Sequence, residues 1–180
     1  MSQEIAALLD VVSRLERADI PYMLTGSMAR NYYAVPRMTR DIDFVAALVL
    51  RDIARLAEAF PEGEFYRSDD SIREAILHQS SFNLIHLATM VKVDVMIRKR
   101  EEYRLEEFTR RQRVEIEEQS VWIVSKEDLI LSKLEWARDS ASERQLEDVK
   151  LLLASGYDAA YLQAWAEKLH LTSILTRVSP

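Results

Sequence analysis

The chain has 180 residues, 48% of them hydrophobic and 30% charged, with a formal net charge of -6 and no cysteine. That length and apolar content suit one folded domain, or one with a small appendage, and exclude a disordered chain. Without cysteine there are neither disulfides nor thiolate metal sites, and the acidic balance argues against nonspecific wrapping of nucleic acid.

The opening "MSQEIAALLD" has no basic leader and no apolar signal core, and no apolar run reaches bilayer length, so the expectation is a cytoplasmic protein that does not enter a membrane. Ile5, Leu8, Leu9, Val12 and Leu15 keep helical spacing and predict an amphipathic first helix that stops at Pro21. "YMLTG" reads as a short buried strand closed by Gly26, and "SMARNYYA" as a short helix. "DIDFVAAL" is the next strand, and "LRDIARLAEAF" a helix ended by Pro61 and Gly63. "SDDSIREAILHQ" predicts another short helix, and "FNLIHL" and "VKVDVMI" two more strands. In the last of these Val91, Val93 and Val95 share one face, and Lys92, Asp94 and Met96 the other.

After Glu101 the chain is more charged and more helical, interrupted by one or two strands in "RVEIEEQSVWIVS". Ser125 and Asp128 have capping-box spacing and open the helix "EDLILSKLEWAR". "SERQLEDVKLLLASG" is a further helix with Gly156 expected as its C-terminal cap, and "DAAYLQAWAEKLH" another. The reading is an α/β (α+β) fold: a mixed twisted sheet flanked by helices over residues 1–118, and a mainly helical region, 119–180, packed against it. Trp122, Trp136 and Trp165 are expected to pack in the core. Basic runs at Arg98–Arg100 and Arg110–Arg113 are expected as solvated patches, the first a candidate contact for RNA.

Strand alternation turns Asp41 and Asp43 to one face, and neighbouring carboxylates repel unless a proton, a basic partner or a cation relieves them. Asp94, on another strand, is a candidate third acid, and three oxygen-bearing side chains suit a hard divalent ion. Asp-x-Asp is nevertheless short and common, and the acids alone fit equally well a pair of surface acids on an exposed strand. Gly26 and Ser27, between a buried strand and a helix, add a place where backbone N–H groups and a hydroxyl can approach phosphate. Clustered glycines for a dinucleotide fold or a P-loop are missing, as are a G-x-S-x-G elbow and a cysteine nucleophile.

The order apolar strand, Gly26-Ser27, short helix, Asp41-Ile42-Asp43, later Asp94, resembles the polymerase-beta-like nucleotidyltransferase superfamily. Arg37, Thr39 and Arg40 leading into the acids, with Lys133, Arg144 and Asp148 on later helices, are similar to the small bacterial and archaeal members, including abortive-infection toxins. Many of those read Gly-Ser-x-Ala-Arg-Gly, whereas Asn31 stands here in the last place. The resemblance implies a transferase that moves a nucleoside monophosphate from a nucleoside triphosphate such as ATP to a hydroxyl on RNA, protein or a small molecule. It implies Mg2+, or Mn2+, on Asp41, Asp43 and Asp94 as the catalytic acids. Nucleotide contacts fall to Gly26, Ser27, Arg30, Arg40 and Lys133, and an antitoxin protein is an implied partner. The alternative is a silent nucleotide-binding or protein-interaction module of the same fold.

Overall fold

Alternating burial along the strands sets the frame of the computed structural model, which describes residues 1–179. In chain order the elements are α1 (Gln3–Arg17), β1 (Tyr22–Thr25), α2 (Gly26–Tyr33), β2 (Asp41–Ala46), α3 (Ile53–Ala59), β3 (Phe65–Tyr66) and α4 (Asp69–His78). They continue with β4 (Ser81–His86), β5 (Val91–Ile97), α5 (Glu102–Thr109), β6 (Gln112–Ile116), β7 (Gln119–Ile123), α6 (Lys126–Ser140), α7 (Glu143–Leu153), α8 (Ala159–Lys168) and α9 (Thr172–Val178). The expected mixed sheet is present: seven strands lie in the order β3-β4-β5-β2-β1-β7-β6. β2 runs parallel to β5 and β1 parallel to β7, while the remaining pairs are antiparallel.

One face of the sheet is apolar. Ile42 and Phe44 on β2, Val93 and Val95 on β5, and Phe82 and Leu84 on β4 are buried there. Ala7, Leu8, Val11, Val12 and Leu15 give α1 the apolar stripe that covers them, and α1 touches β2, β5 and α3. Ser2 caps α1 by accepting from the Ile5 N–H at 3.3 Å. On the opposite face, α2 packs against β1 and β2, and α6 and α7 pack against α2. β1 is therefore covered on both sides, which is why all four of its residues are buried.

Several expectations need revising. The boundary read at 118/119 falls in the turn of the β6–β7 hairpin, and β7 pairs with β1, so hydrogen bonding carries the sheet across it; the all-helical stretch begins at Lys126. Gly156 is not a left-handed cap: α7 ends at Leu153, its cap is Ala154 at φ -67°, and the Gly156 carbonyl accepts from Lys126 Nζ at 2.9 Å. Trp122 and Trp165 pack against the core, but Trp136 is 60% exposed. The two basic runs meet, because Arg98 and Arg111 both stack on Phe108 and Arg111 and Arg113 both stack on Trp122. Ser125 caps α6 as expected, while Asp128 takes the Ser125 hydroxyl at 2.6 Å and Tyr161 Oη at 2.7 Å. Among the described residues no helix is long and apolar enough to cross a membrane.

Candidate active site

Strand register brings the acids together. β2 and β5 pair with Asp43 directly opposite Asp94 and Asp41 opposite Lys92, so all four side chains lie on one face, the one α1 does not cover. Thr25, the last residue of β1, lies opposite Asp43 on its other side. Asp41 is exposed, whereas Asp43 and Asp94 are partly buried. Burial, then the charges of Asp94 and Asp41, push the Asp43 carboxyl up to about 6, against a hydrogen bond from the Ser27 N–H and the charge of Lys133.

Gly26 makes this closeness possible. Its φ is +63°, and a Cβ built there would fall 2.0 Å from Asp43 Oδ2. Only glycine combines that left-handed backbone with that approach. The chain then turns into α2, whose Ser27 presents its N–H to Asp43 and its hydroxyl to Arg37, which donates through Nη2 at 2.9 Å.

Beyond Ser27 stands a basic cluster built on one carboxylate. Asp148 of α7 is 3% exposed and meets Arg37 at 3.0 and 3.2 Å, Lys133 Nζ at 2.8 Å and Arg30 Nε at 3.1 Å. The Arg30 contact is an ion pair, poorly aligned for a hydrogen bond, and the Arg30 fork also donates to the Val35 carbonyl. Burial pushes the Asp148 carboxyl up, but hydrogen bonds from Arg37 and Lys133 outweigh it and hold the group at about 2. Burial also draws the Lys133 ammonium below its ordinary range, against its bond to Asp148. Three cations facing one anion leave two positive charges uncompensated beside Gly26 and Ser27. That surplus, next to three acids, suits a polyanion carrying divalent cations.

The donor set fits Mg2+: every candidate ligand is a carboxylate oxygen, and Asp43 stands directly opposite Asp94 and two residues from Asp41 on the same face. Among the described residues, however, no three acids already stand at ligand spacing. Asp94 is engaged by Lys92 at 2.9 Å and by Asn83 Nδ2.

The structure thus draws Asp41, Asp43, Asp94, Gly26, Ser27, Arg30 and Lys133 into one region. Arg40 precedes Asp41, is exposed, and makes no ion pair or side-chain hydrogen bond among the described residues. Arg144 is also exposed, and its neighbour Gln145 is the residue that reaches Lys133, at 2.9 Å. Sequence reasoning noticed Arg37 and Asp148 without giving them work and passed over Asn83 and Gln145. A signal for Asn83 was present, as an amide inside an otherwise apolar strand. Asn31, the departure from the glycine pattern, has a place of its own, since its Oδ1 accepts from the Arg37 N–H at 3.0 Å and its Nδ2 donates to the Arg37 carbonyl at 2.7 Å.

The fold is shared by solved nucleotidyltransferases. ANT(2'')-Ia in complex with adenylyl-2''-tobramycin is 14% identical at a TM-score of 0.63, covering 96% of this chain and 98% of its own. An antigenic nucleotidyltransferase-like protein from Paracoccidioides brasiliensis is 19% identical at 0.59, covering 99% of this chain and 94% of its own. The lincosamide antibiotic adenylyltransferase LnuA, lincomycin-bound, is 14% identical at 0.56, covering 84% of this chain and 96% of its own. No curated protein matches. The family model described as "Nucleotidyl transferase AbiEii toxin, Type IV TA system" matches residues 13–175. The chain belongs to that family and is a nucleotidyltransferase.

Proposed function

We propose that this nucleotidyltransferase is metal-dependent and moves a nucleoside monophosphate from a nucleoside triphosphate to a hydroxyl of a macromolecular acceptor, as the toxin of a toxin–antitoxin pair in the cytoplasm. The observation that carries the reading is the pairing of Asp43 with Asp94 across β2 and β5, beside Gly26, Ser27 and a basic cluster. Asp41, Asp43 and Asp94 would hold Mg2+ or Mn2+; the metal supplies charge neutralisation and a lowered pKa for the acceptor hydroxyl. Ser27, Arg37 and Lys133 bind the β- and γ-phosphates, with Arg30 holding Asp148 and hence the other two cations in place. The acceptor oxygen attacks the α-phosphorus, the bond from that phosphorus to the β-bridging oxygen breaks, and pyrophosphate leaves. Asp94 would accept the hydroxyl proton as the new bond to phosphorus forms.

A large acceptor is favoured by what lies beyond Asp94. Tyr66, Ser81 and Asn83 follow it in register on the same face and are exposed, so this side is an open surface. Such a surface admits an RNA end or a protein hydroxyl. The toxin role rests on the family, and an antitoxin protein is the corresponding partner.

Incubation with labelled nucleoside triphosphates, Mg2+ and cell extract tests the chemistry. Label should enter RNA or protein, and Asp41→Asn with Asp43→Asn should abolish it with an unchanged circular dichroism spectrum. Transfer that persists in the double variant would refute the metal assignment. Expression without a partner should arrest growth, and the same double variant should not.

A further inference from the structure

Lys92 is the one cation on the acid-bearing face of β5, and its placement is specific. It lies opposite Asp41 in the β2–β5 register and two residues from Asp94 on the same strand face. Its ammonium stands 2.9 Å from both Asp94 oxygens, and Asn83, opposite Asp94 on β4, donates to Oδ1 as well. Both oxygens of the third acid are therefore covered by protein donors. A divalent ion accepts lone pairs from such oxygens and repels an ammonium held 2.9 Å from both of them, so Lys92 in this position opposes a metal on Asp94. The Lys92 side chain is half exposed, on a long flexible stem, so it can leave without disturbing the core.

We propose that Lys92 is a built-in place-holder cation: it neutralises Asp94 in the metal-free protein and must swing away before Asp94 can serve a divalent ion. This face of β2 and β5 carries three acids and one lysine, and without metal that lysine, together with the charge of Lys133 acting on Asp43, offsets the repulsion among Asp41, Asp43 and Asp94. Metal entry then costs the Lys92–Asp94 pair, which sets a threshold on the metal concentration at which the site fills. The triphosphate offers the displaced ammonium a new partner, so metal should load better with nucleotide than alone. This inference rests on the proposed metal role of the three acids.

The test is Mn2+ binding followed by electron paramagnetic resonance on the full chain without nucleotide, for wild type, Lys92→Met and Asp43→Asn. Lys92→Met keeps the stem and removes the charge, and its Kd for Mn2+ should fall by about fivefold, the scale of a partly exposed ion pair. An unchanged or weaker Mn2+ affinity in Lys92→Met, with binding still lost in Asp43→Asn, overturns the place-holder alone. Mn2+ binding that survives Asp43→Asn, or is absent from both the wild type and Lys92→Met, overturns the metal reading and the place-holder with it. Should Lys92→Met misfold, the lysine ammonium resonances of the wild type decide: the Lys92 signal should move on adding Mg2+, and indifference to Mg2+ overturns the proposal.

Discussion

Asp43 carries the largest electrostatic burden in the site, and its cost has a sign that can be measured. In the unfolded chain its carboxyl titrates near 3.8 and in the folded protein near 6, so between those values the folded state holds the extra proton. Stability of the metal-free protein therefore falls as pH rises through that window, and the penalty is complete above about 6. Each pKa unit is worth about 1.4 kcal/mol, and solvent at this partly open position screens roughly half of the total. Asp43→Asn removes the charge while keeping an acceptor for the Ser27 N–H. At pH 7.5 without metal the variant should be more stable than wild type by about 1–2 kcal/mol, and the difference should vanish near pH 4. Denaturant titration at the two pH values checks it. Added Mg2+ should stabilise the wild type and leave the variant unmoved.

At the scale of elements, the segment between α2 and β2 is where local sequence and long-range structure meet. Asn31 clasps the Arg37 backbone from both sides, and Arg37 in turn bridges Ser27 and Asp148, 111 residues away in the chain. Each neutral hydrogen bond is worth about 1 kcal/mol, so Asn31→Ala, which removes two, should weaken nucleotide binding by about 5- to 30-fold. Calorimetry with a nonhydrolysable triphosphate measures it. Equal affinity in the variant would mean that the segment holds Arg37 without help.

The same elements show what was legible from sequence. β2 and β5 could be read because alternation of apolar and polar residues is local, and with it the shared face of Asp41 and Asp43, while β1 could be read as a short apolar run closed by Gly26. β3 could not, because two residues carry no period and Phe65 and Tyr66 become a strand only by pairing with Ile85 and His86. The short α9 gave too few turns to show a stripe. Asp148 as a hub was invisible for another reason: nothing in the spacing of a helix tells which cations will arrive from α2, the following segment and α6.

For the molecule as a whole, the acids Asp41, Asp43 and Asp94 come from the sheet and the cations from α2, the segment after it and α6, gathered by Asp148 of α7, so a bound triphosphate would tie the two together. β7 already does so by pairing with β1, and the Tyr33 hydroxyl donates to the Val124 carbonyl at 2.7 Å where strand gives way to helix. Trp136 and Trp165 lie in the helical stretch after Lys126 and Trp122 on β7 of the sheet, so fluorescence is weighted toward the helical region, whereas far-ultraviolet circular dichroism reports every helix. If the sheet and the helices unfold as one unit, the two signals should trace a single coincident transition. A fluorescence transition that precedes the dichroism one would show that the helical region separates. A triphosphate with Mg2+ at a hundred times its Kd should raise both by about 5–10 °C, from a linkage of about 2.7 kcal/mol spread over a chain of this length. Asp148→Asn should forfeit most of that rise, because it turns Arg30, Arg37 and Lys133 from an organised phosphate cradle into three mutually repelling charges.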